Sequence, residues 1–74
     1  MRTAKPQTLM RRLRRDLNLT LDEVAARTGV AGPTISRVER RLLVPSEDVK
    51  KRLAKFYRLP ADSLLADAPR LEVA

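Results

Sequence analysis

A chain of 74 residues fills one domain, and one this short buries only about 60% of the surface it exposes unfolded, so its core must be compact. It has no cysteine and no histidine, which excludes disulfides, the usual zinc cages and imidazole acid/base chemistry. Sixteen Lys and Arg against nine Asp and Glu leave a net charge of +7, with residues 1–58 at +9 and residues 59–74 at −2. Such a balance points to a polyanionic partner, nucleic acid first, with a merely solubilising surface as the plain alternative. No apolar run approaches the roughly 20 residues that cross a bilayer, the first residues lack the apolar centre of a signal peptide, and Phe56 and Tyr57 are the only aromatics. The expected setting is cytoplasmic, with no membrane partner, no cofactor, no metal and no small-molecule ligand; with no nucleophile–base pair in view, no enzyme is expected.

In chain order, Leu9, Met10, Leu13 and Leu17 recur at helical spacing through "TLMRRLRRDL", with Arg11, Arg12, Arg14 and Arg15 between them. This pattern predicts a basic amphipathic first helix capped by Thr8 and ending at a bend near Asn18. Thr20 and Glu23 then stand in capping-box spacing, and Leu19 and Val24 in that of a hydrophobic staple, so a second helix starts here. It runs to Arg27 or Thr28, where Gly29 supplies a left-handed C-terminal residue. Val30 turns back to the core. A third helix begins near Gly32 with Pro33 in its first turn, where the missing amide proton costs nothing. Ile35 and Val38 form its inner edge and leave Thr34, Ser36, Arg37, Arg40 and Arg41 on its other faces. After the loop "RRLLVP", Pro45 and Ser46 open a fourth helix with Glu47 and Asp48 at the positive end of its dipole. Its inner residues are Val49, Leu53, Ala54 and Tyr57. Leu59-Pro60 breaks the chain, Leu64 and Leu65 mark a short fifth helix ended by Pro69, and residues 1–7 and 69–74 are expected to be flexible around a core of 9–67.

Two short helices joined by a glycine corner have the form of a helix-turn-helix, whose second helix stands proud enough to enter a major groove about 12 Å wide. An ordinary corner between packed helices has the same local form, and the basic surface favours the first reading. Residues 20–25 ("TLDEVA"), Gly29-Val30, residues 34–39 ("TISRVE") and Pro45-Ser46, with Leu53-Ala54 and Leu64-Leu65 downstream, resemble the Cro/C1-type (XRE) helix-turn-helix family of phage repressors and bacterial regulators. The likeness covers residues 9–65 and implies an all-α, five-helix, lambda-repressor-like domain.

From this resemblance follow the functional expectations. The chain is a sequence-specific regulator of transcription that binds double-stranded DNA as a homodimer on a palindromic operator. A protein-interaction module on the same fold, or an antitoxin that regulates its own operon, are the other readings. Base-contacting positions fall at Gly32, Pro33, Thr34 and Arg37, of which Arg37 has the guanidinium that pairs bidentately with guanine, a phosphate contact being its alternative. Phosphate-contacting positions fall at Thr20, Leu21, Arg40 and Arg41. Arg14 and Glu39 fall where the family forms a buried ion pair. Leu42, Leu43, Val44 and Leu64 fall near its subunit contact, although the run 42–44 could equally fold over the third helix. Four departures from the family stand out. Leu21 replaces a usual glutamine, Arg41 a usual glycine and Lys50 a usual apolar residue, and Ala31 gives the third helix no capping side chain.

Overall fold

The computed structural model describes residues 7–69. They form five α-helices: α1 (Leu9–Asp16), α2 (Leu21–Thr28), α3 (Gly32–Glu39), α4 (Glu47–Tyr57) and α5 (Ala61–Leu65). Among the described residues there is no strand, only one isolated antiparallel bridge between Thr8 and Asp67.

Each helix end has a local cause. The Thr8 hydroxyl accepts the Arg11 amide at 3.3 Å to start α1. At the start of α2 the Thr20 hydroxyl accepts the Glu23 amide at 3.1 Å while the Glu23 carboxylate accepts the Thr20 amide at 3.0 Å, a complete capping box. At the start of α4 the Ser46 hydroxyl accepts the Val49 amide at 3.2 Å. Ala31 leaves α3 without a side-chain cap. The C-terminal ends turn on left-handed residues, at Asn18 (φ 57°), Gly29 (φ 77°), Arg41 (φ 60°) and Arg58 (φ 58°). After α1, the Asn18 amide donates to the Arg15 carbonyl at 3.0 Å and the Leu19 amide to the Arg14 carbonyl at 2.9 Å. The same two-bond closure ends α3, from Arg41 to Val38 at 3.1 Å and from Leu42 to Arg37 at 2.8 Å. Arg41 therefore adopts the backbone that glycine would supply without strain, and the chain leaves α3 by the glycine route.

Met10, Val24, Val30, Ile35, Val38, Leu53 and Leu64 form the core, one or two from every helix plus the corner residue Val30. Leu13, Leu19, Val49, Phe56, Tyr57 and Leu65 pack around them half-buried. Three expectations need correcting. Leu17, assigned to the inner face of α1, is 58% exposed, because it sits at the C-cap where the helical register has ended. Leu64, assigned to a subunit contact, is 1% exposed and fills the core, since α5 is short enough to spend its one inward leucine on its own chain. The fifth helix closes at Leu65, four residues before Pro69, because Ala66 is already extended and Asp67 pairs with Thr8.

That pairing ties the two ends of the described chain together. The Leu9 amide donates to the Ala66 carbonyl at 2.9 Å, and the Ala68 amide to the Gln7 carbonyl at 2.8 Å. The expectation of flexible ends otherwise falls on residues 1–6 and 70–74, which lie outside the described residues. Lys50, placed where an apolar residue is usual, is half-buried along its stem and reaches Glu47 with its ammonium at 3.4 Å, so its chain covers core surface while its charge stays out.

Candidate nucleic-acid interface

The helix-turn-helix corner brings the start of α2 against the start of α3. Leu21 and Asp22 of α2 and Gly32, Pro33, Ser36, Arg37 and Arg40 of α3 line one open groove of about 420 Å³. A side-chain carbon at Gly32 would stand 3.7 Å from the Asp22 carboxylate, so the two helices meet closely there. Arg37 and Arg40 are exposed. Among the described residues neither forms an ion pair; the one bond is from Arg40 Nε to the Ser36 carbonyl of its own helix at 3.3 Å. Two exposed guanidinium groups without ion pairs among the described residues are suited to phosphates and to guanine edges.

Of the positions expected to meet DNA, the groove gathers Leu21, Gly32, Pro33, Arg37 and Arg40. Thr34 is half-buried on α3 and does not line it. The Thr20 hydroxyl is engaged in the capping box, accepting from the Glu23 amide and bonding the Glu23 carboxyl. Arg41 pairs with Asp67 and stands outside the groove's lining. The carboxylate of Asp22 was not among the expected site residues. Its signal was its place next to Leu21 in the first turn of α2, where an acidic side chain is ordinarily read as favouring the helix dipole.

At the end of α3, the Arg14–Glu39 pair ties the helix to α1. Arg14 Nε donates to Glu39 Oε2 at 2.8 Å and Nη2 to Oε1 at 3.1 Å, while Nη1 donates to the Leu19 carbonyl at 2.9 Å. The Glu39 side chain is 3% exposed and that of Arg14 is 14% exposed. The bond to Glu39 holds Arg14 above the ordinary guanidinium pKa, against burial that works the other way. The Thr8 hydroxyl adds a donor to the Glu39 carbonyl at 3.1 Å. Tyr57 lies beside this pair with its hydroxyl oxygen buried and without a hydrogen-bond partner among the described residues. Burial, with the negative charge of Glu39 second, pushes its pKa up to about 12. In the capping box, bonds from the Thr20 backbone and then from its hydroxyl hold the Glu23 carboxyl below its ordinary value.

A helix-turn-helix domain family matches residues 8–68, from the cap of α1 to the residue past the terminal bridge. The chain belongs to this helix-turn-helix family. Two relatives, each named an uncharacterized HTH-type transcriptional regulator and each from a strain of Mycobacterium tuberculosis, are 37% identical over 65 residues. The match takes in 88% of this chain and 46% of each relative, so the chain spans about half the length of the curated relatives it matches. No solved structure is significantly similar. The all-α fold is thus a helix-turn-helix fold, with α2 and α3 joined by the glycine corner. Among the described residues no helix is long and apolar enough to cross a membrane.

Proposed function

We propose that this chain regulates transcription by binding double-stranded DNA in the Cro/C1 manner, as a homodimer on a near-palindromic operator. The observation that carries the reading is the groove on α3, where Arg37 and Arg40 stand exposed and without ion pairs among the described residues. Arg37 reads a guanine edge, and Gly32, Pro33 and Thr34 at the front of α3 allow close approach to neighbouring bases. Thr20, the Leu21 amide, Arg40 and Arg41 hold phosphates and set the register of the helix in the groove. Net charge concentrated in residues 1–58 supplies the nonspecific attraction. The names of the two mycobacterial relatives point the same way.

The homodimer rests on the loop after α3. Leu42, Leu43 and Val44 are 66%, 42% and 85% exposed, a run of apolar surface that a second subunit would cover. Two copies related by a two-fold axis set their projecting helices about 34 to 36 Å apart, one turn of DNA.

Selection of bound sequences from a random duplex pool tests the whole reading. The expected result is an enriched motif with two inverted half-sites. The Arg37→Ala variant should then lose about 1 to 3 kcal/mol on that motif and almost nothing on random duplex. No enrichment from the pool refutes sequence-specific binding, and equal losses on both duplexes make Arg37 a phosphate contact.

A further inference from the structure

A second cationic groove opens at the other end of α2. It measures about 480 Å³ and is lined by Arg27 and Thr28 from the last turn of α2 and by Arg52, Lys55, Phe56 and Arg58 from α4 and its end. Arg52 builds it: Nη1 donates to the Thr28 carbonyl at 3.2 Å and Nε to Asp48 at 2.9 Å, which pins α4 to the end of α2. The other three cations, Arg27, Lys55 and Arg58, are exposed and form no ion pair among the described residues. Glu23, one turn back on α2, feels the charge of Arg27, but its carboxylate is bound to the Thr20 amide. Arg58 is held in a left-handed backbone, φ 58°, at the rim. Thr28 is buried and Phe56 is half-buried with its ring edge-on to Tyr57 at 4.8 Å. The groove is a concentration of positive charge whose favourable binding term is the release of counterions from a phosphate chain.

We propose that this α2–α4 groove is a second phosphate-backbone site, which holds a separate segment of double-stranded DNA while α3 holds the first. The α3 groove takes its α2 residues from Leu21 and Asp22 and this one from Arg27 and Thr28, about 9 Å apart along the helix at 1.5 Å per residue. The two grooves therefore lie at opposite ends of one helix and share no lining residue. The inference rests on the reading of α3 as a DNA-binding helix, and the experiment separates the two.

A biotinylated random-sequence duplex on beads is saturated with the full chain at low salt, and capture of a second, fluorescent duplex is measured. Wild type should capture it. The variant Arg27→Gln, Lys55→Gln, Arg58→Gly should capture roughly tenfold less, with the salt slope of capture reduced by up to about 2.7. Its binding to the first duplex should fall by less than about threefold, since the cations of α3 are untouched. A variant of equal net charge, Arg11→Gln, Arg15→Gln, Lys51→Gln, should capture like wild type. Melting curves check that both variants fold, and glycine at position 58 relieves a left-handed arginine and so favours folding. First-duplex binding without second-duplex capture by wild type overturns the groove and leaves α3 standing. Equal capture by both charge variants overturns it too, as does polyglutamate displacing the second duplex as well as free duplex does. Failure of wild type to bind even the first duplex overturns the DNA reading and the groove with it.

Discussion

Replacing Glu39 with alanine should be among the most damaging single changes in this chain. The Glu39 carboxylate is 3% exposed and accepts two guanidinium bonds from Arg14 at 2.8 and 3.1 Å. Without it, Arg14, itself only 14% exposed, keeps a single partner in the Leu19 carbonyl and a charge facing the core. Removing one member of such a buried pair costs about 3 to 5 kcal/mol. A domain of this length has about 4 to 11 kcal/mol in all, so from about a quarter to all of its stability is at stake. At about 4 to 8 °C per kcal/mol, the melting temperature should fall by about 12 °C or more. Arg15→Ala is the matched control, because Arg15 is exposed and makes no side-chain bond among the described residues; its change should stay within about 0.5 kcal/mol. Arg12 is a poorer control, since its side chain is only 22% exposed and its guanidinium bonds the Pro69 carbonyl. The assay is thermal melting by circular dichroism. Replacing both partners, Arg14→Met with Glu39→Leu, should restore most of the loss, because an apolar pair leaves no charge stranded. A Glu39→Ala variant that melts within about 2 °C of Arg15→Ala would refute the argument.

Arg41→Gly should stabilise the fold by about 0.5 to 1 kcal/mol in chemical denaturation, because relief of the left-handed backbone outweighs an exposed pair with Asp67; a loss of stability would show that the pair matters more. The Tyr57 hydroxyl ionises at about 10 in the unfolded chain and about 12 in the fold, so its contribution is fully present below pH 10 and is lost as pH rises through 12. Tyr57→Phe should remove that alkaline loss and be neutral to stabilising near pH 7; as the only tyrosine, Tyr57 can be followed directly by tyrosinate absorbance. Leu43→Glu should stay folded and lose cooperative binding to paired half-sites in gel-shift titrations, whereas global unfolding or unaltered binding rejects the dimer contact.

The parts of this structure that were legible in the sequence are those with local causes. The capping box of α2, the glycine corner and Pro33 at the front of α3 each act within four residues, and composition and spacing suffice to place them. The Arg14–Glu39 pair spans 25 residues, so periodicity alone could not choose Arg14 from the four arginines of α1; resemblance to a family singled it out. Leu17 and Leu64 were misassigned for opposite reasons. A helical pattern does not announce that its last leucine lies past the final turn, and a short amphipathic helix does not announce whether its leucine serves its own core or a neighbour. Asp22 in the α3 groove was overlooked because an acidic residue in a first turn has a sufficient local explanation. The hydroxyl of Thr8 is a cap, which the sequence signals, and also makes a tertiary bond, which no local pattern signals.

That hydroxyl has an electrostatic consequence. It accepts from the first turn of α1 and donates to the last carbonyl of α3, so the negative end of α3 is joined to the positive end of α1. Two short dipoles placed end to end in this way satisfy each other at the junction. At the opposite end of α3, Ala31 offers no side-chain oxygen to its first amides. The helix α3 is thus a battery wired at one pole to the body of its own domain, while its other pole lies beside the Asp22 carboxylate of α2.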